Sequence, residues 1–241
     1  MARADLLPIS LSLSDRIALV GKTRSGKSVA TLIIVSILLP FVDPAQNRDK
    51  VPWQVWWVDT KNDTKDLRRL RQWGFRSPTR APKNWPRLLF KIRPIDLTDE
   101  LSVARQVQAL AWKAARRGKV IFVVDEYVSC VLSTQTMGAG LKNLAQRGGG
   151  LGVGLIGETQ EPKFVPRQLL SQATHELLFR VTFNRDMEWC QEECEFYGTG
   201  PPDKHGFWYR WLDGVGSSSQ WIYFRDIMEF KSRFVQLEAT G

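Results

Sequence analysis

Cysteine is scarce in these 241 residues, with Cys130, Cys190 and Cys194 as its three occurrences. So low and odd a number cannot staple a secreted framework, and a reducing compartment is expected. Cys190 and Cys194 have the spacing that would put two thiols on one helical face. No His or Cys pair lies nearby to complete a zinc site, so packing is their expected role. Long apolar runs are missing too. The longest, residues 29–39, is 11 residues interrupted by Thr31 and Ser36 and ended by Pro40. As a helix it would reach about 17 Å, roughly half of a bilayer core, so no transmembrane segment is expected. Residues 1–14 carry a proline and two charges and lack a long apolar stretch, so no secretory signal is expected and the chain should not be secreted. Internal repeats and low-complexity tracts are absent.

What is present suits a full-sized core. Apolar residues make up 43% and charged residues 24%, which excludes disorder, collagen and a disulfide miniprotein. The length fits a single domain over 1–241. Lysine plus arginine is 34 against 25 acidic residues, a net charge of +9. That excess favours a polyanionic partner, nucleic acid or anionic lipid, without choosing between them.

Short apolar runs alternate with amphipathic segments. Strands are predicted at 16–20, 53–58, 88–92, 120–124, 153–156 and 176–183, and helices at 27–39, 62–73, 98–117 and 141–145. Residues 41–52 read as a loop, the proline-rich 74–86 as a surface excursion, and 164–171 as a loop entering a short helix. Beyond Trp189 the texture changes to aromatic runs at 207–212 and 220–224 around a Gly/Ser-rich turn, which predicts a C-terminal β-hairpin. Strands alternating with helices specify an α/β fold, a mainly parallel sheet flanked by helices. Its core should span about 15–185, with the hairpin extension over 186–241.

Gly21, Lys22, Thr23, Arg24, Ser25, Gly26, Lys27 and Ser28 satisfy the G-x-x-x-x-G-K-[ST] pattern between a predicted strand and a predicted helix. The glycines let backbone N–H groups close around phosphate oxygens, and the helix start adds its positive dipole end. Lys27 can reach the outer phosphates, and the Ser28 hydroxyl can ligate Mg²⁺. A carboxylate on a neighbouring strand would complete the site, and Asp125 and Glu126 follow the most apolar run, 120–124. Asp125 would order the metal and Glu126 would polarise the attacking water. A plain helix N-terminus is the other reading of that acidic pair.

Four features together resemble the FtsK/HerA superfamily of DNA-pumping ATPases. They are the phosphate loop, the strand ending Asp59-Thr60-Lys61, the Asp125-Glu126 pair, and the run from Gln146-Arg147 through a glycine-rich turn and strand to Thr159-Gln160-Glu161-Pro162. The likeness covers about 15–185. In length and layout it is nearest to the genome-packaging ATPases of membrane-containing icosahedral double-stranded DNA viruses. The resemblance implies a RecA-like P-loop NTPase fold with ATP and Mg²⁺ as cofactors. It also implies a homo-oligomeric ring that moves double-stranded DNA without reading sequence, docks on capsid or portal-vertex proteins, and resides in the host cytoplasm or the virion. Gln160 would sense the γ-phosphate, and Arg147 would act on a neighbour's site in trans, with Arg180 and Arg185 as alternatives. Many members carry a further arginine where this chain has Gly149.

Two rival functions remain at this point. One is a conjugation or segregation pump of the same superfamily. The other is a nucleotide-gated DNA-binding scaffold with little turnover. The basic stretch Arg68, Arg69, Arg71, Arg76, Arg80 and Lys83 is either a DNA contact or a solvated face. The aromatic hairpin is expected to pack or to contact another subunit, because duplex DNA offers no free bases.

Overall fold

A computed structural model describes residues 9–39, 52–61, 64–82, 84–95, 99, 101–133, 136–194, 197–198, 206–212, 217–223 and 234–236. The loop expected over 41–52 lies outside them except for Pro52, as do Lys83 and the hairpin turn at 213–216. Along the chain run β1 (Ile9–Leu11), β2 (Arg16–Val20), α1 (Lys27–Leu38), β3 (Gln54–Asp59), α2 (Thr64–Gln72), β4 (Arg87–Lys91) and α3 (Ser102–Arg117). Then come β5 (Val120–Val124), α4 (Ala139–Arg147), β6 (Val153–Thr159), α5 (Arg167–Leu170), β7 (His175–Leu178) and α6 (Asn184–Glu193). The last elements are β8 (Gly206–Leu212), β9 (Ser217–Tyr223) and β10 (Phe234–Gln236).

The main sheet has eight strands in the order β4-β3-β5-β6-β2-β7-β8-β9. The first six are parallel and the last two antiparallel. The expected α/β architecture is therefore present, and the hairpin extends the sheet itself, with Tyr209 of β8 opposite Leu177 of β7. One expectation needs correcting: the strand bearing Asp125 is not a neighbour of the phosphate-loop strand. Strand β6 lies between them, with Ile156 opposite both Ile17 and Val123.

Each central strand is buried on both faces, and its period-two alternation feeds two cores. Ile17 and Leu19 of β2, with Ile121 and Val123 of β5, pack with the apolar residues of α1. Ala18, Phe122 and Val124 point the other way, toward Val107, Leu110, Ala111 and Ala114 of α3 and Leu141 and Leu144 of α4. Helix α1 is buried over most of its surface, as its all-round apolar sequence requires. Cys190 and Cys194 are buried with Val20, Leu178 and Tyr197 beneath α6. Among the described residues no helix is long and apolar enough to cross a membrane.

Boundaries moved where tertiary pairing overrode local pattern. Strand β6 continues through Gly157, Glu158 and Thr159 because β2 pairs with it to that point. Strand β7 stops at Leu178, short of the expected 183, and Asn184 opens α6, which the sequence pattern missed. The small parallel pair β1–β10 was also missed, since each strand is three residues long. The proline-rich excursion runs along the outer strand, where Arg76 forms an isolated parallel bridge to Leu88 and its guanidinium lies 4.5 Å over the Trp85 ring.

The crossing of β5 into the following turn depends on one missing side chain. A Cβ at Gly157 would lie 1.7 Å from Tyr127 Cζ, and Tyr127 is itself buried. Gly157→Ala should therefore cost about 3 kcal/mol through overpacking, a fall in melting temperature of roughly 6–12 °C for a chain of this size. Gly149→Ala, in open space, should change the melting temperature by about 1 °C or less. Thermal melts of the two variants check this.

Candidate active site

Strand β2 delivers the chain to the carboxyl edge of the sheet, where the phosphate loop hangs from both flanking strands. Gly21 N–H donates to the Thr159 carbonyl (3.0 Å) and Lys22 N–H to the Arg180 carbonyl (2.8 Å). Gly26 caps α1 with φ 104°, a backbone region that suits glycine and few other residues. The first helical N–H groups thus point into the loop with no acidic side chain in the first turn to occupy them. Lys22, Thr23 and Arg24 are exposed at the loop tip, and Ser25 is half-buried with a buried hydroxyl that has no hydrogen-bond partner among the described residues.

Lys27 is almost completely buried. Its ammonium donates to the Gly21 carbonyl and to the Lys22 carbonyl, the latter at 3.0 Å. Burial pushes it down to about 8 from an ordinary 10.5, and Lys61 adds to the fall, while Glu158 and Glu126 oppose it. The loop therefore holds a cation that is bonded to neutral acceptors alone.

Three strand ends, those of β3, β5 and β6, supply the rest of the site. Asp125, just past β5, accepts from Thr60 N–H (3.0 Å), Thr60 Oγ (2.8 Å) and Lys61 N–H (3.4 Å). Burial pushes its carboxyl up to about 7 against the pull of Lys61 and these hydrogen bonds. Glu126 is buried beside it, and its Oε1 has no hydrogen-bond partner among the described residues. Its Oε2 accepts from Gln160 Nε2 at 3.3 Å, and Gln160 Oε1 accepts from the Thr23 hydroxyl. Gln160 thus connects the tip of the phosphate loop to Glu126.

Two participants are given no role by the sequence, although Lys61 closes the Asp59-Thr60-Lys61 strand end. Glu158, on β6 and fully buried, accepts the Ser28 hydroxyl at Oε2 and the Thr31 hydroxyl at Oε1, each at 2.9 Å. Burial raises its carboxyl above the ordinary value. Lys61 Nζ lies 3.7 Å from Glu126 Oε2 and 3.9 Å from Glu158 Oε2. Burial pulls its ammonium down, but Glu158, Asp125 and Glu126 outweigh that and hold it above its usual range. Ser28 and Asp125, expected to share the metal ion, make no hydrogen bond to each other among the described residues: Ser28 bonds Glu158, and Asp125 bonds Thr60 and Lys61.

No protein-family model matches the sequence, and no curated protein does. Solved structures do match. The DNA-packaging ATPase B204 from Sulfolobus turreted icosahedral virus gives a TM-score of 0.62 at 14% identity, over 87% of this chain and 98% of that one. The genome packaging NTPase B204 from Sulfolobus turreted icosahedral virus 2, in complex with AMPPCP, gives 0.57 at 15% identity, over 86% and 96%. Its sulfate complex gives 0.57 at 15% identity, over 87% and 97%. The chain has the fold of the viral packaging ATPases. At such identities the likeness carries the architecture, and the chemistry rests on the residues above.

The three arginines separate by position. Arg147 is exposed at the end of α4, beside the start of β6. The seven residues of β6 put it roughly 20 Å from the Gln160 end of the strand. Arg180 is exposed at the loop edge, where its carbonyl accepts from Lys22 N–H. Arg185 is committed within its own chain: its guanidinium lies 4.4 Å over Phe164 and 3.2 Å from Glu161 Oε2. Thr23, Lys27, Ser28, Asp125, Glu126 and Gln160 therefore meet within this chain, and its Arg147 does not join them.

The buried Lys27 has a consequence for stability. Its folded value of about 8 lies below the ordinary 10.5. Between those two values the unfolded chain binds the extra proton, so the native state gains stability as pH rises through that window. Below it the buried ammonium costs on the order of 3 kcal/mol. Lys27→Met should raise the melting temperature at pH 7, and its advantage over the wild type should shrink as pH approaches 10. Melts from pH 7 to 10 check both.

Proposed function

We propose that this chain is an ATPase whose turnover drives double-stranded DNA through a ring of its own copies, packaging a viral genome into a preformed capsid. One observation carries the reading: Gln160 ties the Thr23 tip of the phosphate loop to the Glu126 carboxylate. A loop that only stored nucleotide would have no need of a carboxylate held in that register. The architecture shared with the two B204 proteins, described as packaging enzymes, supplies the direction of the finer reading.

In this reading Lys27 exchanges its two carbonyl acceptors for phosphate oxygens, and charge-assisted bonds replace neutral ones. Glu126 accepts a proton from the water that attacks the γ-phosphorus. Gln160 fixes the direction of that carboxylate and transmits its position to Thr23. Mg²⁺ fits the donors available, which are all oxygen, and Glu126 Oε1 is a buried acceptor still unused. Among the described residues no group of three or more His, Cys, Asp or Glu forms a metal cage. That suits an ion that keeps waters and phosphate oxygens in its shell. Ser28 and Asp125 would hold it, and when bound it neutralises charge on the outer phosphates.

Arg147 is too far from its own Glu126 to serve it, so its role is to complete a neighbour's site. The exposed arginines 68, 69, 71, 76 and 80 form a basic face on α2 and the following loop. Contacts from such a face to duplex phosphates need no sequence readout.

ATP turnover measured with and without duplex DNA tests the reading. Wild-type turnover should rise when duplex DNA is added. Glu126→Gln should keep ATP bound while turnover drops by about 10³-fold, because it removes the water-activating group. Wild-type turnover from Glu126→Gln protein would remove Glu126 as the water-activating group.

The second prediction concerns the ring. Arg147→Ala and Glu126→Gln proteins should each be inactive alone. Mixed, they should recover part of the wild-type rate, since some interfaces then join an intact Glu126 to an intact Arg147. No recovery from subunits shown to co-assemble would move the role to Arg180 or Arg185, or show that the ring tolerates no dead interface.

A further inference from the structure

Glu158 has no counterpart in the phosphate-loop pattern, yet it accepts the hydroxyl of that loop's serine. Its two oxygens are divided: Oε2 accepts the Ser28 hydroxyl and Oε1 the Thr31 hydroxyl, both at 2.9 Å. Ser28 and Thr31 lie three residues apart on α1 and present one face of its first turn. Lys61, at 3.9 Å, offsets the charge of the fully buried carboxylate.

A hydroxyl has one proton and two lone pairs. To ligate a cation well, the serine hydroxyl points its O–H at an acceptor, which turns its lone pairs toward the ion. Asp125 does not accept the Ser28 hydroxyl among the described residues; its hydrogen bonds come from Thr60 and Lys61. We propose that Glu158 is the positioning residue for the divalent ion that accompanies the nucleotide, accepting the Ser28 O–H hydrogen bond so that the Ser28 oxygen lone pairs face the ion. Thr31 holds the carboxylate in place for this task. The inference rests on the ATP-binding reading above and assigns the serine's orientation to the strand between β2 and β5. Neighbours of this kind typically change metal affinity 10–100-fold.

The test is the affinity for a fluorescent, non-hydrolysable ATP analogue, measured in saturating Mg²⁺ and in EDTA. The ratio of the two dissociation constants isolates the contribution of the ion. Glu158→Gln should lower that ratio about 10-fold or more, with the EDTA affinity within about twofold of wild type. Thr31→Val, which preserves shape and leaves the carboxylate on Ser28, should lower the ratio by a smaller factor, about 2–3-fold, scaled from the same range. If Glu158→Gln does not fold, Thr31→Val decides, and an unchanged ratio overturns the assignment. Equal loss of affinity in both conditions would make Glu158 a strut between β6 and α1 and overturn it as well. Wild-type binding that ignores Mg²⁺ would overturn this inference alone. Failure of the wild type to bind in either condition would overturn the ATP reading beneath it.

Discussion

Lys27, Lys61, Asp125, Glu126 and Glu158 meet where β2, β3, β5 and β6 end, and no one of them can leave water without the others. Taking a single ion into a protein interior costs several kcal/mol. The lysines and carboxylates offset one another, but unevenly. Lys61 faces three carboxylates and is held in its charged form, whereas Lys27 is bonded to two backbone carbonyls and is pushed down to about 8. The under-partnered cation is the one inside the phosphate loop. A polyphosphate would supply the missing counter-charge there, which makes ligand binding and charge balance the same event.

The insertion of β6 between β2 and β5 determines how that balance is wired. Because β6 is hydrogen-bonded on both sides, its last residues have little freedom. Glu158 reaches α1, Thr159 fastens the loop through Gly21, and Gln160 reaches Glu126. The next residue, Glu161, pairs with Arg185, whose guanidinium lies over Phe164. A shift of Glu126 would therefore be felt along one short segment from the loop to α6.

Much of this was legible in the sequence. The central strands declare themselves because burial on both faces requires continuous apolar runs, as in Val120–Val124. The phosphate loop and the Asp125-Glu126 pair carry fixed spacings. Glu158 was not legible, since a glutamate at the end of a strand reads as a surface residue until the strand's neighbours are known. Strand order was equally hidden: local pattern cannot say that β6 lies inside the pair it separates. Helix α6 begins with Asn-Arg-Asp after an aromatic stretch, and its apolar side, with Cys190, emerges only beside Tyr197 and Trp208. The three-residue β1 and β10 have too little period of their own to be read.

The outer strand of the sheet has a consequence for solubility. An open sheet leaves unpaired N–H and C=O groups along its rim, a template on which a second chain can add a strand. Here the excursion after α2 returns along β4: Arg76 N–H donates to the Arg87 carbonyl and Leu89 N–H to the Arg76 carbonyl. Three prolines follow within the same stretch, at 78, 82 and 86, and each removes a backbone donor. The rim is thereby closed to strand addition at the point where Arg76 sits. Copies gathered at high local density would meet through side chains and helices, and self-templated β-aggregation would find that border blocked.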